Sequence, residues 1–210
     1  MTEEQPQTTF VVTDIETDGH SPLRNSMLSF ASVAMDYDGT VLGEFEANLT
    51  PRPDRHQDPR TMAWWETQPE AWVAATTDPQ PPEKVMARYA DWVEGLPGFR
   101  VFAAAPIMFD GPWMDHYLDH YAQTRCLGGP YAGRQIFRGG GVCLYTMAGT
   151  LRGAPYLQWG MQRAPAEWYG HIEHTHKAID DARGFANVLV HLFKMTAQLP
   201  RIDATESMYK

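Results

Sequence analysis

The chain alternates and clusters its apolar residues in an order that lays out successive elements. Residues 10–17 open with Phe10, Val11, Val12 and Thr13, an aromatic and β-branched run that predicts a strand leading into the acidic pair Asp14 and Glu16. Residues 27–37 predict a second strand. Asp38-Gly39 then marks a tight hairpin, since glycine takes positive φ without a steric penalty, and residues 41–49 return as a third strand. Three strands joined so closely predict an antiparallel meander opening a mixed sheet.

A proline-rich, charged loop follows at 51–60, and residues 61–75 carry Trp64, Trp65 and Trp72 at near-helical spacing. Pro81-Pro82 stands where a helix begins, because the N–H that proline lacks has no partner there in any case. Val85, Met86, Tyr89, Trp92 and Val93 continue at helical period up to Gly95. Residues 99–105 are almost wholly apolar and predict a short strand buried on both faces. Pro112 is expected to open the next helix, with Trp113, Met114, Tyr117, Leu118 and Tyr121 as its apolar side. The glycine-rich stretch 128–141 reads as a mobile or ligand-facing loop. Residues 177–195 give the clearest helix, striped by Ile179, Ala182, Phe185, Ala186, Leu189, Leu192 and Phe193. Strands interleaved with helices place the chain in the α/β class. One domain is expected over residues 1–210, with a core at about 8–196 and polar tails at 1–7 and 197–210.

Composition adds limits. With 43% hydrophobic and 12% aromatic residues the chain has the material for a core, so disorder is not the default reading. No run of about 18 apolar residues occurs, and the acidic, polar start lacks the basic-then-apolar order of a secretory leader. A cytoplasmic protein without a membrane partner is expected. Cys126 and Cys143 have no metal-ligand spacing and fit two reduced thiols. The net charge of −9 opposes a polyanionic ligand, but it is unevenly spread. Between His120 and Ala166 no acid occurs, whereas Arg125, Arg134, Arg138, Arg152 and Arg163 do, so the remainder carries −14. Such a segment either binds nucleic acid or is a solvated loop.

The acids carry the chemistry. Residues two apart on a strand share a face, so Asp14 and Glu16 point the same way, behind Phe10 and Val12, while Val11, Thr13 and Ile15 fill the other. Two carboxylates at the end of an apolar strand repel one another, and a divalent cation relieves both. Asp110 ends the apolar run from Val101 to Phe109, where it is either a helix cap or a ligand. Asp181 falls in the first turns of the late helix, whose dipole favours anions. His176, at or just before that helix, is placed to act as a general base near neutral pH, although His171 and His174 stand close by. Together these suit phosphodiester hydrolysis on two divalent metal ions, Mg²⁺ or Mn²⁺. Four ionised carboxylates carry about −4, which two dications cancel, leaving a site that accepts phosphate.

Asp14-Ile15-Glu16-Thr17-Asp18-Gly19, then Phe109-Asp110, then His176 to Asp181 resemble the three motifs of the DEDDh-type 3′–5′ exonucleases, in order and spacing across residues 8–195. That resemblance implies a ribonuclease H-like fold, with helices flanking the mixed sheet. It also implies Asp14, Glu16, Asp110 and Asp181 as metal ligands and His176 as the base. Asp180 then becomes a non-catalytic neighbour, because the motif's last acid stands five residues after its histidine. Thr17, Asp18 and Gly19 are expected beside the terminal sugar of a substrate, the 3′ end of single-stranded RNA or DNA, and a homodimer is consistent with the resemblance. Thr61-Met62-Ala63-Trp64-Trp65-Glu66-Thr67-Gln68 is similar to the subgroup that contains a T-even phage exodeoxyribonuclease and a mycobacterial exoribonuclease. There one tryptophan is expected in the core and the other, taken as Trp65, against a base. Two positions depart from the pattern. Pro106 stands where many relatives carry Asn or Gly, and Cys143-Leu144-Tyr145-Thr146 stands where an Asp-x-Arg-Thr stretch is expected.

Two other readings compete. His171 and Glu173, with His176 or His191, imitate an iron-oxygenase ligand set, but the long helix after His176 does not suit the barrel such sites occupy. A nucleic-acid-binding module of the same fold that has lost its chemistry is the other. No residue announces a choice between ribose and deoxyribose.

Overall fold

The computed structural model describes residues 7–126, 133–159 and 164–199. Five strands, β1 (Thr8–Thr17), β2 (Met27–Met35), β3 (Val41–Asn48), β4 (Phe99–Ala104) and the short β5 (Val142–Cys143), form one sheet ordered β3-β2-β1-β4-β5. β1, β2 and β3 are the expected antiparallel meander. β4 runs parallel to β1, pairing Thr8 with Phe99 and Val12 with Ala103, and β5 runs parallel to β4. The two parallel strands β1 and β4 therefore end on the same side of the sheet, and the chain leaves both there.

The alternation read from β1 sorts its side chains onto two cores. Val11 and Ile15 pack under α3 (Pro82–Gly95) and α4 (Ile107–Ala122), among Val85, Tyr89, Trp113 and Leu118. Phe10 and Val12 pack under α6 (Ala178–Thr196) and α5 (Leu144–Leu151), with Ala182, Phe185 and Leu189. Asp14 and Glu16 share the parity of Phe10 and Val12, so they belong to the α6 face. α3 starts at Pro82, as the paired prolines predict. The tryptophan-rich stretch forms two helices, α1 (Pro59–Trp65) and α2 (Pro69–Thr76). Asp58 caps α1, its carboxylate accepting the N–H groups of Arg60 and Thr61.

One expectation needs correction, and one open alternative gains detail. α4 begins at Ile107 and not at Pro112, so Asp110 sits inside its first turn and is not the cap; Pro106 holds that position. Pro112 leaves the Met108 carbonyl without its helical N–H partner, and Met108 as a residue is 79% exposed. Among the described residues, the arginines of the basic segment do not gather beside the acids. Arg134 forks onto Glu94 and reaches Asp91 on α3, and Arg125 is held by Asp115. Arg138 lies over Phe99 and Arg152 over Trp168. Arg134 bridges to Thr124 beyond the C-terminal end of α4, whereas Asp110 is in its first turn. That separates the two by about 20 Å at 1.5 Å per helical residue. Arg163, the stretch 127–132 of the glycine-rich loop and the tails 1–6 and 200–210 lie outside the described residues. Among the described residues no helix is long and apolar enough to cross a membrane.

Candidate active site

Three elements deliver carboxylates to one place. β1 brings Asp14 and Glu16, and its pairing with β2 slips between Glu16 and Thr17, ending the regular ladder there. α6 brings Asp181 in its first turn, and α4 brings Asp110. One carboxylate oxygen from each of Asp14, Glu16 and Asp181 lies within 4.8 Å of the others. Asp110 falls outside that trio, yet its charge acts on Asp14 more strongly than the charges of Glu16 and Asp181.

The electrostatics follow from this crowding. Burial, then the charges of Asp110, Glu16 and Asp181, push the Asp14 carboxyl well above the usual range. Burial, then the charges of Asp181 and Asp110, do the same to Glu16. Burial pushes Asp110 up to about 7, partly opposed by the backbone N–H groups of Asp110 itself and Ile15. Asp181 is only 4% exposed. Its Oδ1 accepts the Thr175 N–H at 3.1 Å, while its buried Oδ2 has no aligned hydrogen bond. Acids so placed are stable together only with protons or cations, and all-oxygen donors suit hard divalent ions. The residues present therefore fit the metal chemistry that the resemblance implies.

The third motif is held differently from expectation. His176 has φ +58°, a left-handed conformation rare for a residue with a side chain, which turns the chain into α6. Thr175 ties this turn to the helix, its hydroxyl donating to Asp180 at 2.9 Å and accepting the Lys177 N–H at 3.3 Å. The imidazole nearest Asp181 is that of His174, with Nδ1 2.8 Å from Oδ2, too far off line for a hydrogen bond. His174 and His176 have ring centroids 4.3 Å apart, and ligand atoms from both lie within 4.8 Å of one on Asp181. Trp64 meets His176 edge to face at 4.9 Å. Asp180, one residue before Asp181, lies 3.9 Å from Arg183 and accepts from Thr175.

The expected substrate contacts change most. Trp65 is 2% exposed and donates its indole N–H to the Thr17 carbonyl at 2.9 Å, so it braces the end of β1 and cannot stack on a base. Trp64, 37% exposed, is the tryptophan on the surface. The Thr17 hydroxyl donates to the Gly19 carbonyl at 2.6 Å. The Asp18 carboxylate accepts the Ser26 N–H at 2.5 Å, and burial raises its pKa. Both side chains hold the loop after β1 and are turned from solvent. Gly19 is required by close approach: a Cβ there would lie 2.2 Å from Cγ of Asn25. His174 and Trp64, which the sequence offered only as a neighbour of His176 and as the second of two tryptophans, stand beside Asp181 and His176 respectively.

Comparison with known proteins agrees with the geometry. The model of the 3′–5′ exoribonuclease Rv2179c-like domain family matches residues 9–193. No curated protein matches the chain. Among solved structures, the zinc-bound E. coli ExoI–ssDNA complex is similar with a TM-score of 0.57 at 18% identity, covering 91% of this chain and 41% of that one. The nuclease domain of 3′hExo, a DEDDh family member bound to rAMP, reaches 0.59 at 10% identity over 94% and 96%. A 3′-exonuclease from a study of histone mRNA stem-loop recognition reaches 0.59 at 12% identity over 90% and 81%. These likenesses establish the ribonuclease H-like fold. The chain spans about two-fifths of the exonuclease I chains that it matches.

Proposed function

The chain belongs to the Rv2179c-like 3′–5′ exoribonuclease domain family, and on that premise we propose that it releases mononucleotides from the 3′ end of single-stranded RNA or DNA at the cluster of Asp14, Glu16, Asp110 and Asp181. The convergence of Asp14, Glu16 and Asp181 oxygens within 4.8 Å, from two elements far apart in sequence, is the observation that carries this reading. These four acids would hold two divalent cations, Mg²⁺ or Mn²⁺. When bound, such ions supply Lewis-acid stabilisation of the charge that builds on the phosphate.

The chain's own residues do the rest. His176, at the rim of the acidic cluster, takes the proton from the attacking water. Trp64 offers an aromatic face beside it on which the terminal base stacks. Trp65, Asp18 and Asn25 keep the end of β1 and its loop rigid, so that Asp14 and Glu16 stay aimed at one point. The test is a 5′-labelled single strand incubated with Mn²⁺ and the full chain. A ladder shortening one nucleotide at a time from the 3′ end is expected. Internal cuts, or an intact strand, would overturn the proposal.

A further inference from the structure

We propose that His174, His176 and Asp181 form a second, nitrogen-rich metal site that takes Zn²⁺ or a similar borderline cation and shuts the carboxylate site down when filled. One ligand atom from each residue lies within 4.8 Å of the other two. Asp181 is 4% exposed, and its buried Oδ2 completes no hydrogen bond, its nearest polar neighbour being the imidazole of His174. Nδ1 of His174 already approaches that oxygen to 2.8 Å. The two imidazole rings stand 4.3 Å apart at 69°, turned across one another and not stacked. Tetrahedral zinc with bonds of about 2.0–2.1 Å needs ligand atoms about 3.3 Å apart, so small side-chain rotations complete the shell and leave one position for water. The side chain of His174 is 30% exposed and lines, with Thr175 and His176, a cavity of about 410 Å³ through which an ion enters.

Donor type separates this site from its neighbour. Asp14, Glu16 and Asp110 offer only oxygen, which suits Mg²⁺ and Mn²⁺, whereas two imidazoles with one carboxylate suit Zn²⁺. Asp181 belongs to both groups of ligands. A cation on the histidines uses the lone pair that His176 needs as a base and draws Asp181 from the acidic cluster. Zinc binding stands on these residues alone; the resulting inhibition rests on the proposed exonuclease function.

The test titrates the metal-free full chain with Zn²⁺ by calorimetry under saturating Mg²⁺, in parallel with zinc inhibition of Mn²⁺-supported hydrolysis. One Zn²⁺ per chain should bind despite the Mg²⁺. His174→Ala should weaken that binding, and the inhibition with it, by at least about tenfold, while His171→Ala leaves both unchanged. A His174→Ala chain that binds Zn²⁺ as tightly as the parent would overturn the proposal, as would displacement of Zn²⁺ by Mg²⁺. Co²⁺ gives the second readout: visible bands of a nitrogen-bound ion should appear in the parent and fade in His174→Ala. Zinc binding that depends on His174 in a chain without hydrolytic activity would uphold the site and count against the exonuclease reading instead.

Discussion

The indole of Trp64 and the imidazole of His176 meet edge to face, with centroids 4.9 Å apart and planes at 88°. This is a favoured aromatic geometry, and it seats a half-open tryptophan directly on the residue proposed as the base. Trp64 also stands 4.8 Å from Trp65, which is anchored to the end of β1, so the rim of the site is braced from the strand outward.

The two neighbouring tryptophans should therefore fail in opposite ways. Trp64→Ala is expected to raise KM for single strands about 5- to 100-fold, the range of one lost base stack, and to leave the melting temperature nearly unchanged. Trp65→Ala is expected to cost about 3–5 kcal/mol of stability, as for a large buried aromatic. Steady-state kinetics and thermal melts distinguish them; a stable Trp65→Ala chain with raised KM would restore Trp65 as the stacking residue.

Stability should carry the signature of crowded acids. An unfolded Asp titrates near about 3.9, and in the fold burial pushes Asp110 up to about 7. Between those values the folded state keeps a proton that the unfolded state has released. Stability from this group is therefore present at low pH and lost as pH rises through the window. The upward shifts of Asp14 and Glu16 act in the same direction. Melting temperatures of the metal-free chain and Asp110→Asn should diverge from pH 5 to pH 8, the variant becoming relatively more stable. Mn²⁺ should stabilise the parent more at pH 8 than at pH 5. Parallel curves would show that burial does not raise the Asp110 carboxyl in the fold.

Salt dependence should ignore the arginine-rich segment. Arg134 is committed to Glu94 and Asp91, and Arg138 lies over Phe99 near the start of β4, at the end of the sheet away from the acids. The double variant Arg134→Ala, Arg138→Ala is expected to keep the parent's slope of log affinity against log salt. A slope flattened by about two units would place both arginines on phosphates.

Much of this was legible in sequence because period alone sorts faces. Parity put Asp14 and Glu16 on the face of Phe10 and Val12, the face that packs against α6, and the resemblance put Asp181 five residues after His176, in the first turn of that helix. What stayed hidden depends on tertiary contacts. Nothing local distinguishes Trp64 from Trp65; the Thr17 carbonyl decides which is buried. Pro112 looked like a helix start because local rules favour proline in a first turn, whereas α4 carries it inside the helix. The approach of His174 to Asp181 follows from the left-handed turn at His176, which no pattern in the chain announces.

The most direct measurement is single-turnover hydrolysis of a labelled strand at saturating Mn²⁺ with His176→Ala, His174→Ala, Asp181→Asn and Asp180→Asn. His176→Ala should lose roughly 10²–10⁴-fold in rate while still binding metal and strand. Asp181→Asn should be essentially inactive, and Asp180→Asn, whose parent residue faces Arg183 and Thr175, should stay within a few-fold of the parent. His174→Ala should also stay within a few-fold, because in the proposed mechanism His176 alone takes the proton and His174 only neighbours Asp181. A large loss in His174→Ala or Asp180→Asn, with His176→Ala and Asp181→Asn left active, would contradict the assignment of base and ligand together.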